Sequence, residues 1–219
     1  RMAGRDMIKA VIFDLDDTLY DARVCYAKGQ EKLAQFVFEE YGENAEIFSK
    51  RYQEAKSIVK KRLGDVASCH NRLLYIQTYQ EISGRGSMQD VLHMYEKYWE
   101  AVLDNMVVYP YVNPLFAELR DKGIKIGVLT DLTAHIQYRK IKRLGIEKYI
   151  DALVTSEEAG VEKPSQEMFS LILEKLAIEP SEAIMVGDSI HKDIQGAEDA
   201  GVKAILFDGH IDVIEEVRI

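Results

Sequence analysis

Three aspartates within four positions, Asp14, Asp16 and Asp17, followed by Thr18, close the apolar run Ala10–Phe13, itself preceded by Ile8. The run reads as a short buried strand. Carboxylates crowded at a buried strand's end repel one another and lose hydration. They are tolerable beside a cation, and such a cluster suits a hard divalent ion with oxygen ligands. In open α/β sheets, the carboxyl edge of the strands is also where ligands bind. Three further features fall at comparable places: Thr130-Asp131 after IKIGVLT, Lys163-Pro164 before an amphipathic run, and Gly187-Asp188 with Asp193 after AIMVG. Asp14, a backbone carbonyl near Asp16, and Asp188 suit Mg²⁺, which keeps waters and takes few carboxylates alongside phosphate oxygens. Lys163, just ahead of a helix, can hold an anion or a carboxylate. Thr130 can donate one hydrogen bond to a phosphoryl oxygen. Asp16 is left with no charge partner. Two nearby carboxylates with different surroundings can divide labour. Asp14 then acts as the nucleophile through an aspartyl-phosphate, while Asp16 protonates the leaving alkoxide and later deprotonates water.

These residues need a scaffold that brings distant segments to one edge. From Asp21 to Asn105 the chain has no proline and no β-rich run. Four helical faces are expected there: Val24, Leu33, Phe36, Val37, Tyr41; then Ile47, Ala55, Ile58, Val59, Leu63; then Leu73, Ile76, Tyr79; then Val91, Leu92, Tyr95, Tyr98, Trp99, Val102. Four such helices make a small bundle with an aromatic core. After Pro110 strands and helices alternate. Helices are expected over Asn113–Lys122, Thr133–Arg143 with Thr133 as cap, Pro164–Leu176 and Ile190–Ala200. Strands are expected over Ile124–Thr130, Ala152–Thr155, Ala183–Gly187 and Lys203–Phe207. Alternation of this kind predicts a parallel sheet covered on both faces. The division expected is an α/β core over 7–20 and 106–219 and an inserted helical domain, a lid, over 21–105. Residues 1–6 read as a non-native remnant, with Met7 as the natural start.

Composition narrows the setting. The 219 residues are 47% apolar and 30% charged, as in a soluble globular protein. The net charge of −9 and the lack of a basic stripe argue against nucleic acid. No run suits a membrane span or a secretory signal. Cys25 and Cys69 form no spacing pattern, so a reducing, cytoplasmic location is expected, with both thiols ordinary and at least half-buried.

The four features, FDLDDT, VLT, EKP and GDSIHKD with IQGAEDAG behind it, occur in order over nearly the whole chain. Together they resemble the haloacid dehalogenase-like hydrolase superfamily. The resemblance implies a Rossmann-like core with a helical cap inserted after the first motif, and Mg²⁺ as the metal. By position Asp14 looks like the family's nucleophile and Asp16 like its acid/base. Thr130 and Lys163 look like its phosphate-stabilising pair. Asp188 looks like its metal ligand, and Asp193 like the acid that orients metal waters or Lys163. The dehalogenating members lack an aspartate at the position of Asp16, because halide departs without a proton; Asp16 therefore points to phosphoryl transfer. One departure is Asp131, where many relatives carry asparagine: it either sets a negative charge beside the phosphate pocket or turns away from it.

The reading is a Mg²⁺-dependent phosphatase of a small phosphorylated metabolite, a monomer or weak homodimer. Catalysis falls to Asp14 and Asp16, the metal to Asp14, Asp16 and Asp188, the phosphate to Thr130, Asp131 and Lys163, and support to Thr18 and Asp193. In the cap, Arg72 can clamp a carboxylate or second phosphate, with His70 beside it. His93, His135, His191 and His210 show no metal spacing and read as surface residues. The alternatives are a phosphomutase of the same superfamily, a non-catalytic binding protein, and a dehalogenase.

Overall fold

The computed structural model describes residues 7–209; the expectations for residues 1–6 and for His210 lie outside them. Strand β1, Ala10–Phe13, is wholly buried. Four helices follow: α1 Ala22–Tyr41, α2 Ala45–Leu63, α3 Arg72–Ile82 and α4 Val91–Asp104. The remainder alternates: α5 Val112–Asp121, β2 Lys125–Thr130, α6 Ala134–Leu144, β3 Ala152–Thr155, α7 Ser156–Ala159, α8 Gln166–Leu176, β4 Ala183–Gly187, a π-helical turn Ile190–Gln195, α9 Gly196–Asp199 and β5 Lys203–Leu206. The chain divides into two compact units, breaking between Asp21 and Ala22 and again between Met106 and Val107.

In the first unit the five strands form an all-parallel sheet in the order β3-β2-β1-β4-β5. Parallel strands need crossovers that cover both faces, and β1 shows both. Ile12 joins Leu129, Val154 and Met185 in a cluster filled by Met168, Phe169, Ile172 and Leu176 of α8. The adjacent Phe13, pointing the other way, meets Phe116 of α5 with ring centroids 4.9 Å apart. Being central and buried on both faces fixes where β1 ends, and so fixes Asp14.

Several expected boundaries move, for local reasons. Helix α8 begins at Gln166, not Pro164, because Pro164 lies inside a turn that the Ser165 N–H closes on the Glu162 carbonyl at 3.0 Å. Thr133 precedes α6, yet its side chain makes no capping bond; Glu157 accepts the Ala134 N–H at 2.6 Å instead, placing an acid at the helix's positive end. The expected helix 190–200 splits into the π turn and α9, since the Ile194 N–H reaches back five residues to the Ser189 carbonyl. Helix α7 was not foreseen.

In the second unit α1 packs on α4 and α2 on α3. Phe48, Tyr52, Tyr75 and Tyr79 contact ring to ring at centroid distances of 5.2–6.4 Å. Three of the expected apolar stripes are turned partly outward. Val24, Ile47, Leu63 and Leu92 are exposed, while Cys25, Gly29, Phe48, Tyr52 and Met94 are buried in their place. Buried Glu43 accepts the Tyr79 hydroxyl at 2.6 Å and pairs with Arg51 and Arg85. Cys25 and Cys69 are both buried.

Candidate active site

Asp14 is the first residue beyond β1, and its N–H donates to the Val186 carbonyl of β4 at 2.9 Å. The sheet's ladder therefore runs through the residue whose carboxylate is at issue. Its Oδ1 accepts from Lys163 Nζ at 2.7 Å and its Oδ2 from the Thr18 hydroxyl at 3.2 Å. Lys163 spends all three N–H bonds: on Asp14, on Asp193 Oδ1 at 2.7 Å, and on the Leu129 carbonyl at 3.0 Å. Burial alone would pull the Lys163 pKa down, but Asp14, Asp193 and Asp131 outweigh it and hold the ammonium well above its ordinary value. Burial pushes the Asp14 carboxyl well up; Lys163 opposes this, and Asp193 and Asp188 add to it.

Asp193 reaches Lys163 because the π turn swings it under β4. Its Oδ2 accepts the Ser189 N–H at 3.1 Å. Gly187 leaves room for it, since a Cβ there would lie 2.3 Å from Asp193 Oδ2. A π turn beside a functional cluster is a recurrent device for such placement. Asp188 is exposed and faces the Thr18 hydroxyl at 3.4 Å. Oxygens of Asp14, Asp188 and Asp193 all lie within 4.8 Å of one another. Three carboxylates around one ammonium leave local negative charge, and the donors are all hard oxygens. That composition fits a divalent ion such as Mg²⁺. Asp193 is tied to Lys163 and to the main-chain Ser189 N–H, whereas Asp14 Oδ2 accepts only from a hydroxyl at 3.2 Å and Asp188 is exposed, so Asp14 and Asp188 are the better placed ligands.

At the end of β2, Thr130 Oγ1 accepts from Gln137 Nε2 at 2.7 Å and lies 3.1 Å from the Asp131 carbonyl, to which it can donate. Asp131 turns its carboxylate to the Lys163 N–H at 3.0 Å and to Lys192 Nζ at 2.8 Å. Its charge is thus matched by Lys192 of the π turn. Burial would lower the Lys192 pKa, but bonding and attraction to Asp131, with Glu162 adding, raise it. The next residue, Leu132, holds φ at 91°, a conformation costly for a bulky side chain. The Ser156 hydroxyl steadies it by accepting the Leu132 N–H at 2.9 Å.

Asp16 stands apart from the three-carboxylate group. Both its oxygens accept from Lys140 Nζ, at 2.9 and 3.0 Å, and its Oδ1 also accepts from the Tyr20 hydroxyl. The sequence left Asp16 without a charge partner; Lys140 is that partner. Lys140 and Gln137 were both missed. The signal was nonetheless present: they share the buried face of α6 with Ile136, Ile141 and Leu144, and a lysine on an apolar stripe needs an anion. In the second unit Arg72 is half-buried, and four rings, Tyr26, Tyr75, Tyr98 and Trp99, lie 4.6–5.8 Å from it. Its Nη1 donates to the His70 carbonyl at 2.8 Å and its Nε to Tyr98 Oη at 3.3 Å. No carboxylate pairs with it among the described residues.

Comparison with known proteins identifies the family. The haloacid dehalogenase-like hydrolase family profile matches residues 8–201. The chain is 39% identical over 204 residues to a ribulose-1,5-bisphosphate 5-phosphatase of Halopiger xanaduensis, covering 92% of this chain and 85% of that one. It is 33% identical to a glyceraldehyde 3-phosphate phosphatase of Methanopyrus kandleri, covering 91% and 83%. The solved structure of a phosphatase of the same superfamily from Thermococcus onnurineus superimposes with a TM-score of 0.70 at 26% identity, covering 93% and 88%. No helix among the described residues is long and apolar enough to cross a membrane. The chain belongs to the haloacid dehalogenase-like hydrolase family and is an enzyme of its phosphatase branch.

Proposed function

We propose that the protein hydrolyses the phosphate monoester of a small phosphorylated sugar, through an aspartyl-phosphate on Asp14. The observation that carries this is the buried Asp14 carboxylate, fixed between Lys163 and Thr18 at the end of the central strand. An Asp14 oxygen attacks phosphorus and the ester P–O bond breaks. The departing alkoxide takes a proton from Asp16. A water then attacks phosphorus, the acyl-phosphate P–O bond breaks to regenerate Asp14, and the water's proton passes to Asp16. Thr130 turns its hydroxyl from the Asp131 carbonyl to donate a hydrogen bond to a phosphoryl oxygen, and Lys163 supplies positive charge. Asp131, its carboxylate taken by Lys192 and the Lys163 N–H, would act through its main chain. Mg²⁺ would be held by Asp14, Asp188 and the Asp16 main-chain carbonyl, with Asp193 and Thr18 in support; it would neutralise phosphoryl charge.

The inserted unit, read as a cap, would choose the leaving group. Arg72, caged by aromatic faces and with no carboxylate paired to it among the described residues, would meet a second anionic group of the substrate, with His70 beside it. Relatives named for a pentulose bisphosphate and a triose phosphate support an aldose or ketose phosphate.

The test is phosphate release from a panel of aldose and ketose phosphates and bisphosphates, nucleotides and 4-nitrophenyl phosphate, with Mg²⁺ and with chelator, beside Asp14→Asn. Release should need Mg²⁺ and fall at least ~10³-fold in the variant while its circular dichroism is unchanged. No release from folded, Mg²⁺-supplied protein, or turnover retained by Asp14→Asn, would overturn the reading.

A further inference from the structure

We infer that Lys140 is a positioning residue for Asp16, clamping its carboxylate for proton transfer to the leaving group. The inference rests on the acid/base reading of Asp16 given above and adds a residue that the four motifs do not contain. Lys140 lies on α6, 124 residues along the chain from Asp16, and its side chain is wholly buried. Its ammonium meets both carboxylate oxygens almost symmetrically, at 2.9 and 3.0 Å. Two contacts from one Nζ anchor the carboxylate head, and the bond from the Tyr20 hydroxyl to Oδ1 alone distinguishes the two oxygens and so limits turning about the last bond. Tyr20 adds a hydroxyl on Oδ1, and its own ring is fully buried, so the clamp has two rigid arms.

Stability alone is a poor account of this lysine. A buried ion pair commonly contributes no more than an apolar pair of similar volume, because desolvation offsets the attraction. On the buried face of α6, between Gln137 and Ile141, a leucine would pack without that cost. What the lysine provides is orientation: an acid that must reach an ester oxygen gains most when its rotamer is set beforehand.

The experiment uses kcat/KM, which reports events up to departure of the alcohol. An alkoxide needs a proton to leave and 4-nitrophenolate does not, so the ratio of kcat/KM for a sugar phosphate to that for 4-nitrophenyl phosphate reads the acid step alone. Asp16→Asn should lower this ratio ~100-fold or more. Lys140→Met should lower it at least ~10-fold, and Lys140→Arg, which keeps a cation able to meet both oxygens, should stay within ~3-fold of wild type. A Lys140→Met ratio within ~2-fold of wild type, or a Lys140→Arg ratio as low as that of Lys140→Met, would overturn the inference. If Lys140→Met does not fold, Lys140→Gln is read against the same thresholds. An Asp16→Asn ratio equal to wild type would instead remove the acid role on which the inference rests, so the two failures are told apart.

Discussion

Lys163 and Arg72 are both cations withdrawn from water, and they are kept in opposite ways. Lys163, 3% exposed, is enclosed by Asp14, Asp193 and the Leu129 carbonyl, and no N–H is left over. Arg72 is surrounded by aromatic faces and touched by one hydroxyl and one carbonyl, with no carboxylate among the described residues. Ring faces attract a guanidinium without neutralising it. The first arrangement commits a charge to a fixed network; the second holds a charge in place and leaves it uncancelled. A fixed network suits a step common to every substrate. An uncancelled charge suits recognition of whatever anion a particular substrate brings.

The comparison breaks most visibly at Lys163. Lys163→Met leaves Asp14 and Asp193 facing each other without their shared cation. Breaking a buried ion pair by removing one partner costs about 3–5 kcal/mol. Activity should fall at least ~10³-fold on every phosphate, and urea denaturation should show about 3 kcal/mol less stability. Loss of activity on sugar phosphates alone would mean that Lys163 selects substrates after all. A milder break is Gly187→Ala. The added Cβ would meet Asp193 Oδ2 at 2.3 Å and Cγ at 2.4 Å, and the carboxylate must shift off Lys163 or Ser189. We expect kcat to drop ~10–100-fold for all substrates alike, with the Mg²⁺ titration moved to higher concentration. Unchanged kcat would show that Asp193 does not need its present place.

The difference between the two regions also governed what the sequence disclosed. Asp14, Thr130, Lys163 and Asp188 were readable because each sits where a strand or loop must stop, and acid or base at such a stop is conspicuous. The sheet followed from five apolar runs, each stopped by charge, glycine or proline. The partners of those residues were harder. Lys140 and Gln137 project from mid-helix, and only their intrusion on an apolar stripe marked them. Asp131 looked like surplus charge because Lys192, 61 residues away, cannot be seen to face it in one dimension. The helical stripes slipped by about one position where aromatics crowd: Phe48 and Tyr52 are buried and Ile47 is not, since large rings win the interior over a smaller aliphatic neighbour. Long-range pairing and ring packing are tertiary facts that local periodicity does not carry.

Arg72→Ala tests the other half of the comparison. If its charge is held for the substrate, kcat/KM should fall ~10–100-fold for a sugar bisphosphate and far less for 4-nitrophenyl phosphate, which has no second anion. Arg72→Lys should recover little, because a compact ammonium does not lie flat against four rings. An equal fall on both substrates would make Arg72 a structural prop of the second unit and would erase the distinction drawn from Lys163.

The smallest expected effect sharpens the contrast by repeating the glycine experiment on the other side. Gly29 lies in α1, buried against α4, and a Cβ there would approach Tyr98 and Val102 to 2.7 Å. Crowding of that kind costs about 1–3 kcal/mol in a packed interior, while glycine-to-alanine inside a helix returns about 1 kcal/mol of propensity. The net for Gly29→Ala is a loss of about 1 kcal/mol by denaturant titration. The neighbours displaced are Tyr98 and Val102 of α4, not a carboxylate of the Asp14 network, so turnover of 4-nitrophenyl phosphate should hold within ~2-fold. Tyr98, however, carries the hydroxyl that accepts from Arg72 Nε. A push on that ring tilts one wall of the cage, so the preference between bisphosphate and aryl phosphate should change although their shared chemistry does not. If Gly29→Ala instead lowered both rates together, the aromatic cage and the Asp14 network would have to be one mechanical unit.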